Sequence, residues 1–260
     1  MTPALDAALL ARVEDAGINA SAPREQLWID GWLVRFSPGK AKRARCIQAV
    51  GSGRLPLEAR LERCLAVYRK ASLHPYIRIT PFSQPPGLDQ SLAALGMERI
   101  DDTRVMVAPI VAGVAAIADP GLAVGSRIQS VDSDAFAEWV GGQRRSSTAE
   151  QQAHARRLRD APTEHRALLL VDATGVPVAG GQVAIEDDLA GLYDIFTAEA
   201  ARGQGLARHL CRHLIEAAAS AGVRTAYLQV EASNQPARRV YGRLGFVDGY
   251  AYHYRSPPAS

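Results

Sequence analysis

The sequence predicts an α+β fold: a mixed, mostly antiparallel sheet flanked by helices, with a smaller α+β domain ahead of it. Three observations predict it. Three strand-like runs, Arg166–Val171, Val178–Ile185 and Leu189–Thr197, follow one another across short turns, as in an antiparallel meander. The meander leads through a glycine-rich turn into a helix, and then into a closing strand–helix–strand. The same ending recurs faintly in the first half. There Tyr76–Thr80 leads to a helix ending Leu95-Gly96-Met97, as Tyr227–Val230 leads to one ending Leu244-Gly245-Phe246. Copies more than one hundred residues apart point to a duplicated domain and not to a solenoid.

Taken in order, Met1 to Gly17 reads as an amphipathic helix. Its Asp6, Arg12, Glu14 and Asp15 leave no basic start or apolar block of the kind a signal peptide needs. Trp28 and Trp32 flank Asp30-Gly31 and read as core or pocket aromatics. Cys46–Val50 is strand-like, Gly51-Ser52-Gly53-Arg54 is a turn, and Leu57–Arg69 is a helix. Val111–Ser126 is rich in Ala and Gly, nearly uncharged, and contains Asp119-Pro120-Gly121, which is turn chemistry. The expected division is therefore a first domain at 1–112, a linker at 113–126 and a second domain at 127–260. In the second, Asp132 or Ser133 caps a helix through Val140, and Thr148–Leu158 is another. After the meander, Leu206, Leu210, Leu214 and Ala217 or Ala218 mark the apolar face of a helix. Thr225–Val230, Pro236–Leu244 and Phe246–Arg255 complete the order ααβββαβαβ. Tyr250, Tyr252 and Tyr254 alternate as one strand face packed on a core.

Composition narrows the function. The chain has 260 residues, 47% hydrophobic and 22% charged, enough apolar material for a real core. Its net charge of +3 comes from scattered arginines, with Lys40, Lys42 and Lys70 the only lysines, so no basic stripe argues for nucleic acid. The longest apolar run, Ala108–Ala118, contains Pro109 and Gly113 and falls well short of the roughly 20 residues a bilayer needs. Cys46, Cys64 and Cys211 have no zinc-like spacing and read as buried thiols of a reducing compartment, so a cytoplasmic location is expected. His209 and His213 lack a third ligand, and no metal is expected.

The stretch that carries chemistry is Leu192 to Thr197 followed by Arg202-Gly203-Gln204-Gly205-Leu206-Ala207. A strand, a glycine-rich turn and a helix N-terminus make an anion site, because the first helical amides have no partners and the dipole favours negative charge. Neither a third Rossmann glycine nor a Walker lysine is present. With Arg202, Gly205 and Ala207 in the defining places, the stretch resembles the Arg/Gln-x-x-Gly-x-Gly/Ala signature of the GNAT acyltransferases. Asn234 to Phe246, with Ala237, Tyr241 and Leu244-Gly245-Phe246, resembles that family's second signature. The resemblance covers about Arg127 to Arg255 and implies a GNAT fold, with a degenerate GNAT-like lobe in the first half.

By that resemblance, acetyl-CoA is the co-substrate, lying between splayed fourth and fifth strands. The amides of Ile195, Phe196 and Thr197 are expected to bind the pantetheine arm and thioester. Those from Gly203 through Gln204, Gly205 and Leu206 to Ala207, beside Arg202, would hold the pyrophosphate, and Asn234 either contacts the arm or caps its helix. Tyr241 is the candidate general acid for the departing thiolate, since Asn234, Ala237 and Tyr241 share a helix face. Asp194, expected to share a strand face with Leu192 and Phe196, is either the candidate base or a carboxylate that is solvated or paired with an arginine; Glu231 and the tyrosine row are weaker candidates for the base. The implied reaction is direct attack of an amine on the thioester, the acceptor being a small molecule, an amino acid or a protein amine. Neither nucleic acid nor membrane is an expected partner, and a homodimer is admitted. The alternative is a non-catalytic acyl-CoA-binding regulator. The first half is expected to shape the acceptor pocket, with Gly51 to Arg54 as a relic phosphate turn.

Overall fold

A computed structural model describes residues 6–110 and 122–258. The chain order is α1 (Ala7–Asn19), β1 (Gln26–Ile29), β2 (Trp32–Arg35), β3 (Ile47–Gln48), α2 (Leu57–Ala71), β4 (Ile77–Ile79), α3 (Leu88–Ala94) and β5 (Glu98–Pro109). Then follow β6 (Arg127–Val131), α4 (Ser133–Gln143), α5 (Thr148–Asp160), β7 (Glu164–Val171), β8 (Pro177–Glu186), β9 (Leu189–Thr197), α6 (Leu206–Ala219), β10 (Thr225–Glu231), α7 (Gln235–Arg243) and β11 (Val247–Ser256). All eleven strands form one sheet, in the order β1-β2-β3-β4-β11-β5-β10-β9-β8-β7-β6.

The halves repeat a pattern and interlock. In each, a strand runs through a glycine turn and a helix into a parallel neighbour: β3 beside β4, with Ile47 opposite Ile77, and β9 beside β10, with Ala190 opposite Ala226. A second helix and an antiparallel strand follow. That last strand does not stay at home. β5, from the first half, lies between β10 and β11, while β11 lies between β4 and β5. The division expected at 113–126 thus separates stretches of chain whose closing strands are exchanged; 113–121 lie outside the described residues.

Three apolar layers hold the second half. Leu210, Leu214 and Ile215 of α6 and Tyr241 of α7 bury themselves against Leu170, Val183 and Leu192 on one face of the sheet. On the other face, Phe136 and Val140 of α4 and Leu158 of α5 cover Ala167, Leu169 and Val171. Val13 and Ala16 of α1 pack there on Val105, Val107, Tyr193, Tyr227 and the row Tyr250, Tyr252, Tyr254, all three tyrosines being buried as the alternation implied. In the first half α2 and α3 enclose a separate core around Trp32, Ile47, Ile77 and Leu92.

Four strands were not anticipated. β5 hides because its start, Glu98-Arg99-Ile100-Asp101-Asp102, is polar, while Val105 and Val107 face one core and Met106 and Ala108 the other, so no alternation marks it. β6 is a short edge strand, half-exposed throughout. β1 and β2 form a hairpin whose turn is Asp30-Gly31, both at positive φ. That hairpin separates the two tryptophans: Trp32 is fully buried, and Trp28 is 65% exposed.

Candidate active site

The site forms where β9 and β10 part. Their ladder runs from Leu189 opposite Thr225 to Leu192 opposite Leu228 and stops, although β9 continues to Thr197 and β10 to Glu231. On its other edge β9 carries a bulge. Between Gly180 opposite Phe196 and Gln182 opposite Tyr193, two residues, Asp194 and Ile195, face the single Gly181. Asp194 adopts a φ of 52°, a conformation that aspartate tolerates better than most residues. Gly180 and Gly181 are required here. A Cβ on Gly180 would sit 2.3 Å from the Trp139 ring, and one on Gly181 would sit 2.4 Å from Ile195.

The bulge changes which way Asp194 points. Alternation would place it with Leu192 and Phe196. Instead Leu192 and Ile195 face α6, whereas Tyr193, Asp194 and Phe196 face the α1, α4 and α5 side. There the Asp194 carboxylate accepts from Arg144 Nη1 at 2.5 Å and Gln182 Nε2 at 2.6 Å, and lies 3.2 Å from His154 Nε2. Burial alone would raise its pKa, but the His154 contact and the charges of Arg144 and Arg157 outweigh it and hold the carboxyl well below the usual range. Gln182 Oε1 in turn accepts from His165 Nδ1, 3.1 Å away, an imidazole that burial keeps neutral by lowering its pKa to about 4.

Two spaces meet at Asp194. A cleft of about 320 Å³ lies between the splayed strands and is lined by Ile195, Asn234, Ala237 and Tyr241, with Arg43 reaching in from the first half. A cavity of about 250 Å³ lies on the α4–α5 side, walled by the first-half loop through Gly39, Lys40 and Ala41. Asp194 and Arg144 line both. Arg43 is held by Gln229 Oε1 at 2.6 Å and by the Tyr193 ring, 5.3 Å from its guanidinium.

The glycine turn has the form an anion needs. Gly203 and Gly205 both sit at a φ of 80°, Gly205 is the N-cap of α6, and no side chain caps that helix, so its first amides have no side-chain partner. Leu206 and Ala207 begin α6, and Gln204 precedes its cap. Arg202 lies back along the strand, its Nε 3.4 Å from the Thr197 carbonyl and its guanidinium 6.0 Å from the Phe196 ring centre. Asn234 caps α7 by accepting from the Ala237 amide at 3.1 Å while lining the cleft. Tyr241 is buried, its pKa raised by desolvation, and its hydroxyl has no hydrogen-bond partner among the described residues. Cys46 and Cys64 are buried free thiols with pKa values pushed up to about 11 and 12, and Cys211 likewise to about 12. None of these three thiols lines the cleft or the cavity.

The first-half turn is filled by its own chain. The Asp30 carboxylate accepts from the amides of Arg54 at 2.9 Å and Leu55 at 2.8 Å and pairs with Arg60 at 3.0 Å. Those backbone bonds lower its pKa, and they occupy the amides a phosphate would use. Sequence reasoning missed His154 and Arg157, both on α5. They lie three residues apart on one helix face, and only the packing of α5 over the bulge brings them to Asp194. The signal that could have found the bulge was Gly180-Gly181 inside a strand.

Residues 130–246 match the model of the acetyltransferase (GNAT) family. Over 233 residues, 87% of this chain and 90% of the relative, the sequence is 28% identical to YobR of Bacillus subtilis (strain 168), an uncharacterized N-acetyltransferase. Among solved structures, a GCN5-related N-acetyltransferase from Kribbella flavida superposes with a TM-score of 0.66 at 19% identity, covering 96% of each chain. A tandem GNAT protein from the clavulanic acid biosynthesis pathway gives 0.60 at 18% identity, covering 83% of this chain and 76% of its own.

Proposed function

With residues 130–246 forming an acetyltransferase domain of the GNAT family, we propose that this acyltransferase moves an acetyl group from acetyl-CoA to an amine. The amine would lie in the cavity between the halves, both substrates being bound at once. The observation that carries the reading is the junction at Asp194 of that cavity with the cleft between β9 and β10.

Acetyl-CoA supplies an activated acyl thioester whose sulfur leaves as a thiolate. The chain's own groups suit it. The uncapped amides of α6, from Leu206, and the open glycines Gly203 and Gly205 can take a diphosphate. The edge of β9 that faces β10 is unpaired beyond Leu192, so main-chain groups of Ile195, Phe196 and Thr197 turned to that edge can bond an extended arm as a strand would. Tyr241, facing the cleft with a raised pKa and a free hydroxyl, keeps its proton and can stabilise the developing thiolate by donating a hydrogen bond to it.

The base is reassigned. A carboxylate as acidic as Asp194 is a poor proton acceptor, and its role here is to attract the acceptor's ammonium and to hold His154. His154 lines the cavity with Nε2 turned to Asp194, which leaves Nδ1 to take the proton. Isothermal titration tests the cofactor half of the reading. Wild-type protein should bind acetyl-CoA, and Gly205→Glu, which puts a like charge and a side chain at a positive-φ position, should not. Binding retained by that variant would refute the phosphate cradle.

A further inference from the structure

We infer that the acceptor is a small amine that also carries an anionic group, and that Arg157 is the counter-ion for that group. The inference rests on the reading of the inter-half cavity as the acceptor site and adds the substrate's chemical class.

The argument is one of unmatched charge. The walls of the cavity carry Lys40, Arg144 and Arg157 against the carboxylates of Glu150 and Asp194. Glu150 is committed to the start of α5, where it accepts from the Ser147 amide at 2.8 Å in a capping box. Asp194 accepts from Arg144 and Gln182 and meets His154, none of them Arg157, and keeps a lone-pair site for one further donor. Among the described residues, Lys40 donates only to the Arg144 carbonyl, at 3.1 Å. Arg157 makes one long bond, 3.4 Å to the Ala20 carbonyl, and among the described residues meets no carboxylate at ion-pair distance.

Arg157 is half-buried in that wall. Burial and the nearby cations Arg43 and Arg144 disfavour its charge, the opposing pull being that of Asp194. Arg35, fully buried behind it and donating to the Ile18 carbonyl at 2.9 Å, adds another positive group without a carboxylate partner among the described residues. A guanidinium has five N–H donors in a planar fork, and with one long bond to protein Arg157 has most of them open to an anion in the cavity. A carboxylate or phosphate matches that fork with two parallel bonds. The same cavity offers Asp194 to an ammonium at its inner end, beside the cleft. A ligand bound between the two is dipolar: its amine meets Asp194 and His154, and its anion meets Arg157. The volume, about 250 Å³, sits just under the roughly 300–1,000 Å³ of small-molecule sites, which suits a molecule of amino-acid size.

The test uses matched pairs of acceptors with the full-length protein and saturating acetyl-CoA. One arm compares amino acids with their carboxamides; a second compares phosphoethanolamine with ethanolamine. CoA thiol release and product mass give kcat and KM. The expected result is that the anionic member of one arm exceeds its neutral partner at least about tenfold in kcat/KM, and the arm identifies carboxylate or phosphate. Arg157→Gln should bring that ratio close to one, mainly by raising KM for the anionic amine about 10–100-fold. Wild-type and variant should bind acetyl-CoA alike by calorimetry, which excludes misfolding. Where turnover is slow, thermal shifts of the protein–CoA complex replace it, with the acids expected to raise Tm and the amides not. Neutral amines preferred or equal, or a ratio that survives Arg157→Gln, overturns the inference while the acyltransfer reading stands. Failure of the wild-type protein to bind acetyl-CoA overturns the site assignment itself, and this inference with it.

Discussion

Glu14→Gln should lower the melting temperature by several degrees, for a reason that can be worked from the geometry. Glu14 of α1 and Arg78 of β4 form an ion pair with side-chain exposures of 8% and 2%. The second arm of the pair is 3.0 Å long, and Tyr250 of β11 donates to the same carboxylate at 2.6 Å. Burial disfavours the Arg78 charge, but the Glu14 carboxylate and the Tyr252 ring, 3.9 Å from the guanidinium, more than offset this and raise its pKa. Replacing the carboxylate by an amide leaves a buried cation without its counter-charge, which costs about 3–5 kcal/mol. The stacking on Tyr252 and the 3.4 Å bond to Gln48 remain, so the lower end applies. At about 2–4 °C per kcal/mol for a chain of this size, Tm should fall by roughly 6–12 °C. Replacing both partners, Glu14→Gln with Arg78→Met, should recover most of that loss, because no charge is then stranded. Differential scanning calorimetry at neutral pH reads it. A Glu14→Gln protein melting within about 2 °C of wild type would refute the reasoning.

Other expected outcomes address the site directly. Tyr241→Phe should lower kcat about 10–150-fold, the worth of one hydrogen bond to a developing charge, while acetyl-CoA affinity measured by calorimetry stays within a few-fold. His154→Ala should lower kcat/KM by about 10²–10⁴ while acetyl-CoA binding by calorimetry is retained; an unchanged kcat/KM would exclude it as the base. Gly181→Val should displace Ile195 and the bulge, weakening acetyl-CoA binding in the same titration. His165 titrates at about 4 in the folded chain and near 6.5 unfolded, so between these values the unfolded chain binds more protons. Stability should therefore fall as pH drops from about 6.5 to 4, and His165→Gln should flatten Tm against pH in that window.

The second half was legible because its signals are local. Arg202 to Ala207 and Asn234 to Phe246 are contiguous runs whose backbone demands (two glycines at positive φ, an asparagine cap) are written in the residues themselves. What escaped depends on elements distant in sequence. Asp194 lies within an alternating strand, and only the extra residue opposite Gly181 turns it toward α5. His154 and Arg157 look like polar positions on a surface helix until the first-half loop at Gly39 and Lys40 closes over them. β5 is apolar on both sides because two different cores meet there, a fact no window of its own sequence contains. The relic turn at Gly51 to Arg54 reads as a phosphate loop, and the residue that fills it, Asp30, comes from a hairpin more than twenty positions earlier.

The exchange of β5 and β11 also bears on how the chain is made. A ribosome delivers β4 and β5 well before Val247–Ser256, the strand that separates them in the finished sheet. At about 5–20 residues per second the interval is roughly 7–30 s, during which both strands present unsatisfied edges. Exposed edges of this kind recruit strands from other chains. A neighbouring nascent copy offers the same β11, so crowded synthesis should favour swapped assemblies over single molecules, and slower initiation should suppress them.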